Sequence, residues 1–303
     1  MKLFVGITDW DWFKLLSNQS HLDEVNFWQP SGKTQFRALE PGELFLFKLH
    51  SPNNYIVGGG FFAHSSLLPI SLAWESFGLA NGAKDLPEMR RRVAKYRRQT
   101  ENRLEDYTLG CILLEQPFFL PKELWIPTPV GWSPNIVVGR SYDLMQEPGL
   151  SLWRQVQSAV PMAPMVRDER DRYGKPVLIL PRLGQGSFRV LVTDAYERRC
   201  AVTNERTLPA LDAAHIKPYA EHGPLEVSNG ILMRKDLHAL FDRGYLTITP
   251  EYTLEVSRRI KEEFENGREY YRHHGSVIRL PAKAAFRPST EFLKWHNETV
   301  YRG

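Results

Sequence analysis

Three short segments constrain this chain more than any other feature: Asp212-Ala-Ala-His-Ile-Lys-Pro, Ser228-Asn-Gly-Ile-Leu, and Asp236-Leu-His-Ala-Leu-Phe-Asp-Arg-Gly. The third reads as a helix from Asp236 to Asp242, stopped at Gly244. His238 and Asp242 are four residues apart and so share one helical face. Leu237, Leu240 and Phe241 then turn toward a core. An imidazole and a carboxylate one turn apart make a two-ligand clamp for a divalent cation, and the carboxylate oxygen favours Mg²⁺ or Mn²⁺.

The first segment is short, small and apolar, and Pro218 closes it. It reads as the end of a β-strand or ribbon that delivers His215. A His with no metal-binding neighbour in sequence suits a general base, which takes a proton from the water that attacks phosphorus. A cation held by His238 and Asp242 would bind the scissile phosphate and offset charge on the leaving oxygen. Asn229, before Gly230, is expected to tie the loop through side-chain to backbone hydrogen bonds and so orient His215.

With those residues in order, the segment resembles the HNH nucleases, the ββα-metal fold, in an Ala-His-Ile variant. The resemblance covers roughly Phe188 to Ile248 and rests on His215, Asn229, His238 and the Leu-Phe-Asp-x-Gly tail from Leu240 to Gly244. It implies a general-base role for His215, the middle Asn role for Asn229 and a metal-ligand role for His238, with Asp242 in the second helix position. One departure stands out. Many family members carry a ligand directly before the base, where this chain has Ala214. Strand side chains alternate, so Asp212 points to the same side as Ala214 and is expected to supply that ligand unless water does. Arg198, Arg199 and Lys217 are candidate contacts to the DNA backbone.

Composition sets wider bounds. A chain of 303 residues with 42% hydrophobic content is long enough for two cored domains. Two cysteines, Cys111 and Cys200, imply a reducing compartment, and Cys200 lacks the Cys-x-x-Cys partner that a structural zinc would need. The first residues form too short an apolar run for a signal peptide, and no stretch approaches a membrane span, so a cytoplasmic protein is expected. The net charge of +4 and pI of about 9.0 are compatible with nucleic-acid binding. The cluster from Arg90 to Arg98 says more: as a helix it presents Arg91, Lys95 and Arg98 to phosphates without reading sequence.

The pattern divides the chain into an α+β domain over residues 1–158, a linker over 159–175 rich in Pro, Met and charge, and a second domain over 176–303. In the first, Leu3 to Thr8, Glu43 to Leu49, Tyr55 to Phe62 and Gly110 to Glu115 read as strands. Asp11 to Leu16, Ile70 to Phe77, Leu86 to Leu104 and Leu150 to Ser158 read as helices. Gly58-Gly-Gly60 is expected to bend its strand or admit another backbone. In the second domain, Glu255 to Glu265 and Ser289 to Asn297 are expected to be helical.

Trp28 with Gly32, Gly42-Glu43, Phe45 to Lys48 and Ile56 to Gly60 follow one another in an order that resembles the PUA-like fold, and its EVE branch in particular. The resemblance implies an N-terminal β-barrel that reads nucleic-acid bases, and the helical insert from Leu86 to Leu104 is not explained by it. A base taken out of a duplex needs aromatic faces and polar edges. Trp28, Phe27, Trp10 and Trp12 are the candidate faces, and Asn26, Gln29, Ser31 and Asp11 the candidate edges, with Trp28 in a polar loop as the leading one.

A reader ahead of a nuclease resembles the modification-dependent restriction endonucleases. The expected activity is metal-dependent hydrolysis of double-stranded DNA, directed by a modified cytosine flipped into the N-terminal domain. The alternative is a defence nuclease whose front domain senses a DNA structure or a small-molecule signal. Cutting both strands with one such site favours a homodimer.

Overall fold

The computed structural model describes residues 1–97, 105–160 and 183–303. The chain separates into two compact units, Met1–Gly184 and Gln185–Gly303. Most of the linker expected at 159–175, the start of the second domain at 176–182, Arg98 and the last residues of the helix expected to reach Leu104 lie outside the described residues.

The first unit opens with β1 (Lys2–Thr8), α1 (Trp10–Ser17), β2 (Glu24–Gln29), β3 (Leu44–Leu49) and β4 (Tyr55–Pro69). It continues through α2 (Ile70–Phe77), α3 (Leu86–Arg97), β5 (Thr108–Phe119), β6 (Ile126–Pro127), β7 (Gly139–Asp143) and α4 (Gly149–Ala159). Its strands form one mixed sheet in the order β2-β5-β4-β3-β1-β7, with β6 beside β4. The β1–β3 pair is parallel, while β1–β7, β2–β5, β3–β4 and β4–β5 are antiparallel.

The sheet curls. Three ladder steps separate β2 from β3, about 14 Å in a flat sheet. Yet the rings of Phe27 on β2 and Phe45 on β3 have centroids 4.7 Å apart. Their neighbours Phe4, Phe36, Phe47 and Trp12 complete an aromatic interior. The glycines of β4 permit the bend. A Cβ on Gly58 would strike the Phe118 carbonyl, and the ladder to β5 shifts register between Gly59 and Phe61. The α+β class expected from the sequence holds.

Two expectations for this unit need correction. Residues 24–29 form a strand at one end of the sheet's order rather than a polar loop, because Val25 and Phe27 are buried against the sheet's own interior. The helix from Leu86 does form, but three cations of its basic run serve the fold. Arg90 bonds the Glu105 carbonyl, Arg92 pairs with Glu88, and Arg97 bonds the carbonyls of Pro30 and Thr108. Arg91 and Lys95 are exposed, four residues apart on one face.

The second unit contains α5 (Gln185–Ala195), β8 (Leu211–His215), β9 (Gly230–Arg234), α6 (Lys235–Asp242), β10 (Leu246–Ile248) and β11 (Leu254–Val256). It ends with α7 (Arg259–Phe264), α8 (Arg268–Tyr271) and α9 (Thr290–Thr299). The β8–β9 and β10–β11 pairs are both antiparallel. Helices α5 and α6 pack on the β8–β9 ribbon through one core that includes Phe188, Val192, Ala214, Ile231, Leu237 and Phe241. Leu237 and Phe241 take the inward face of α6, as the sequence spacing requires. Gly244 ends the helix at φ +74°, where a Cβ would also collide with the Val300 carbonyl. Among the described residues, no helix is long and apolar enough to cross a membrane.

Candidate active site

His215 ends β8, opposite Gly230, the first residue of β9, and α6 follows β9 directly. The order β8, β9, α6 therefore brings His215, Asn229, His238 and Asp242 to one small structure. Asn229 is fully buried. Its Oδ1 accepts from the Lys217 N–H at 2.9 Å, and its Nδ2 donates to the Lys217 carbonyl at 2.8 Å and the Pro224 carbonyl at 2.9 Å. Its own carbonyl accepts from the Ile216 N–H at 2.9 Å. One amide thus staples the loop after His215 to the start of β9, which is the tie the sequence suggested.

The His215 ring lies flat on Phe188, with centroids 4.0 Å apart and planes 12° apart. Phe188 comes from α5, distant in sequence from all three segments, and no local pattern marked it. Gly230 makes the stack possible, because a Cβ there would collide with Val192 and press on the Phe188 ring. Burial lowers the His215 pKa, and the charge of His238 adds to that, against the carboxylates of Asp242 and Asp212. A neutral imidazole at neutral pH is the form that can accept a proton.

On α6 the His238 Nε2 lies 3.3 Å from Asp242 Oδ2, and its Nδ1 lies 3.2 Å from Asp212 Oδ2. Burial works against a charged His238, but the two carboxylates outweigh it and push the imidazole up to about 9. Burial also opposes charge on Asp212. His238, Arg189 at 3.5 Å and the Ala213 N–H outweigh it and hold that carboxyl below its usual range.

The donor chemistry fits a divalent cation at His238 Nε2 and Asp242 Oδ2, which are on one helix turn and close enough to share an ion. An ion there would take the place of the proton between them. Among the described residues, no group of three or more His, Cys, Asp or Glu side chains is arranged to hold a metal. Two protein donors, with water and phosphate for the rest, is a usual Mg²⁺ arrangement. Asp212, expected as a ligand, meets the His238 ring as closely as Asp242 does. It lies at the opposite ring nitrogen from Asp242. From there it fixes the tautomer and tilt of the ring. Strand alternation gave the side of Asp212 but not the direction of the His238 ring.

The other named residues fall in several places. Arg198 pairs with Asp194 at 3.4 Å, the Arg199 Nε is buried, and the Lys217 ammonium lies 5.5 Å from the Trp295 ring centroid. In the first unit Asn26, Phe27, Trp28 and Trp12 are buried. The Trp28 indole N–H donates to the Asn81 carbonyl at 2.9 Å, and the Asn26 amide to Asn81 Oδ1 at 2.9 Å. These rings fill the core and offer no open face to a base. Trp10, Asp11 and Ser31 are exposed and Gln29 is half-buried, so this set does not line one pocket. Cys111 and Cys200 are both buried and are not disulfide-bonded.

Residues 200–249 match the family model described as HNH endonuclease. This stretch is an HNH endonuclease domain. Its ββα order, His215, Asn229 and His238 all fall inside the match, and the chain is accordingly a nuclease. No curated protein matches the chain. Among solved structures it is similar to an ASCH protein from Zymomonas mobilis, at 11% identity and a TM-score of 0.27, covering 38% of this chain and 69% of that one. A point mutant of the same Zymomonas mobilis protein matches at 12% identity and a TM-score of 0.32, covering 51% and 98%. A structure described as the modification-dependent TagI restriction endonuclease matches at 13% identity and a TM-score of 0.30, covering 93% and 77%. At such TM-scores these likenesses carry no argument for this chain.

Proposed function

We propose that this protein is a metal-dependent DNA endonuclease of the modification-dependent restriction type, in which the HNH domain cuts and the first unit reads a modified cytosine flipped from the duplex. One observation carries the cutting half. A neutral imidazole, His215, is fixed by Phe188 and by the Asn229 staple beside an N/O donor pair on α6. His215 accepts the proton of the attacking water as the new P–O bond forms. His238 and Asp242 hold the cation, Mg²⁺ or Mn²⁺, which supplies Lewis-acid stabilisation to the phosphate and leaving oxygen when bound. Asp212 and Arg189 keep the His238 ring in place. Arg91 and Lys95 in the first unit, and Lys217 in the second, are the cations proposed to meet phosphates.

The reading half rests on a division of labour. Chemistry on a phosphodiester gives no access to base edges, so selectivity has to come from the rest of the chain. A homodimer would let two such sites cut both strands. The test is nicking of supercoiled DNA with Mg²⁺ or Mn²⁺, on substrates carrying cytosine, 5-methylcytosine or 5-hydroxymethylcytosine. Metal-dependent nicking that disappears in His215→Ala supports the mechanism, and a His215→Ala protein that still cuts refutes it. Equal cutting of the three substrates refutes the modification-reading half.

A further inference from the structure

The first unit contains a cavity of about 350 Å³ beside the end of the Phe45 to Lys48 segment. This is within the range of about 300–1,000 Å³ typical of small-molecule sites. Its polar lining is Lys48, His50, Ser51, Asn54 and Thr128, with Trp132 as its aromatic wall, and none of the residues that line it is acidic. Lys48 is the unusual member. It lies on β3 with only 2% of its surface exposed. Its ammonium donates to the Leu49 carbonyl and to Asn54 Oδ1, both at 2.9 Å. An ammonium has three donors. The third direction is served by the Trp132 ring, whose centroid is 5.2 Å away. Among the described residues no carboxylate pairs with Lys48. A buried cation without a counter-charge is costly, and a ring face is a weak substitute for an oxygen acceptor.

The loop that gives Trp132 and Val137 to the lining is unusual in the opposite sense. Val130, Val137 and Val138 are 97%, 80% and 54% exposed on the loop that carries Trp132. Single exposed apolar residues mean little, but three on one loop beside a polar cavity mark a surface that meets something. Apolar side chains on such a loop can enter the gap that an extruded base leaves in a duplex.

We infer that this cavity, walled by Lys48 and Trp132 and bordered by the loop that carries the exposed valines, is the pocket for a nucleobase extruded from duplex DNA, and that it favours a base with an added oxygen over one with an added methyl. The inference rests on the reading of the first unit as a modified-base reader. It replaces the Trp28 set with residues that border open space. Lys48 gives its third hydrogen bond to the base's oxygen, Trp132 lies against the base, and the valine loop fills the vacated stack.

The test is equilibrium binding of the full chain, without divalent metal, to fluorescein-labelled duplexes with one cytosine, 5-methylcytosine or 5-hydroxymethylcytosine. A hydrogen bond from a charged group is worth roughly tenfold or more in affinity. The wild type should therefore favour 5-hydroxymethylcytosine over cytosine by at least about that factor. Lys48→Met and Trp132→Ala should each bring the ratio near unity. Trp132 is on an exposed loop, so its variant decides the matter if Lys48→Met melts early. A preference kept in both variants overturns the pocket while leaving the reader intact. A stronger preference for 5-methylcytosine overturns the oxygen claim. No preference in the wild type overturns the reader, and this inference with it. Competition by free 5-hydroxymethyldeoxycytidine monophosphate as strong as by the duplex would assign the cavity to a free nucleotide instead.

Discussion

Replacing Asn229 tests whether the site depends on one buried amide. Three hydrogen bonds between 2.8 and 2.9 Å join this side chain to Lys217 and Pro224. Each is worth about 1 kcal/mol net, so Asn229→Ala should cost about 3 kcal/mol, and somewhat more for the buried groups left unpaired. Asn229→Asp is the sharper perturbation. It keeps the acceptor for the Lys217 N–H but turns the donor into a second oxygen facing two carbonyls. A shape-conserving change should therefore be at least as damaging as the truncation, because a buried charge then meets two acceptors. Thermal unfolding measures the first effect. Nicking kinetics measure the second, where the loop after His215 loses its anchor and kcat should fall more than KM changes. An Asn229→Asp protein with wild-type melting and wild-type kcat would show that the amide orientation and the staple are misassigned.

Three further outcomes follow from the same unit. His296 is buried between Thr247 and the Phe241 carbonyl, and burial outweighs that bond to lower its pKa from 6.5 to about 4. The unfolded chain therefore binds the proton first. The stabilisation is complete above pH 6.5 and is lost as pH falls toward 4, by roughly 3 kcal/mol. Urea unfolding at several pH values should show this loss, and His296→Gln should flatten it; an unchanged slope in the variant removes the assignment. Phe188→Leu keeps a branched apolar side chain in the core but deletes the ring beneath His215. Loss of an aromatic contact worth about 0.5–1.5 kcal/mol should lower kcat by roughly 3- to 10-fold with little change in KM. Finally, the depressed His215 pKa places the acid limb of the kcat–pH profile below the ordinary imidazole value of about 6.5. A limb above that value would mean that some other group is the base.

The primary sequence alone determined those features set by short-range periodicity. Four-residue spacing put His238 and Asp242 on one helical face, the Asn229-Gly230 pair marked a tied loop, and the small apolar run before His215 announced a strand. Each depends only on the local repeat of helix or strand. Burial and the direction of a ring depend on what arrives from elsewhere in the chain, and only tertiary packing decided those. Trp28 looked like a loop residue because Gln29 and Ser31 are polar and Pro30 interrupts a strand, but β5 pairs with its strand and Asn81 takes its indole N–H. Phe188 came to His215 because α5 packs on the ribbon, and Asp212 met His238 because α6 packs on β8. Lys48 and Trp132, far apart in sequence, form a cavity wall that no local pattern could announce.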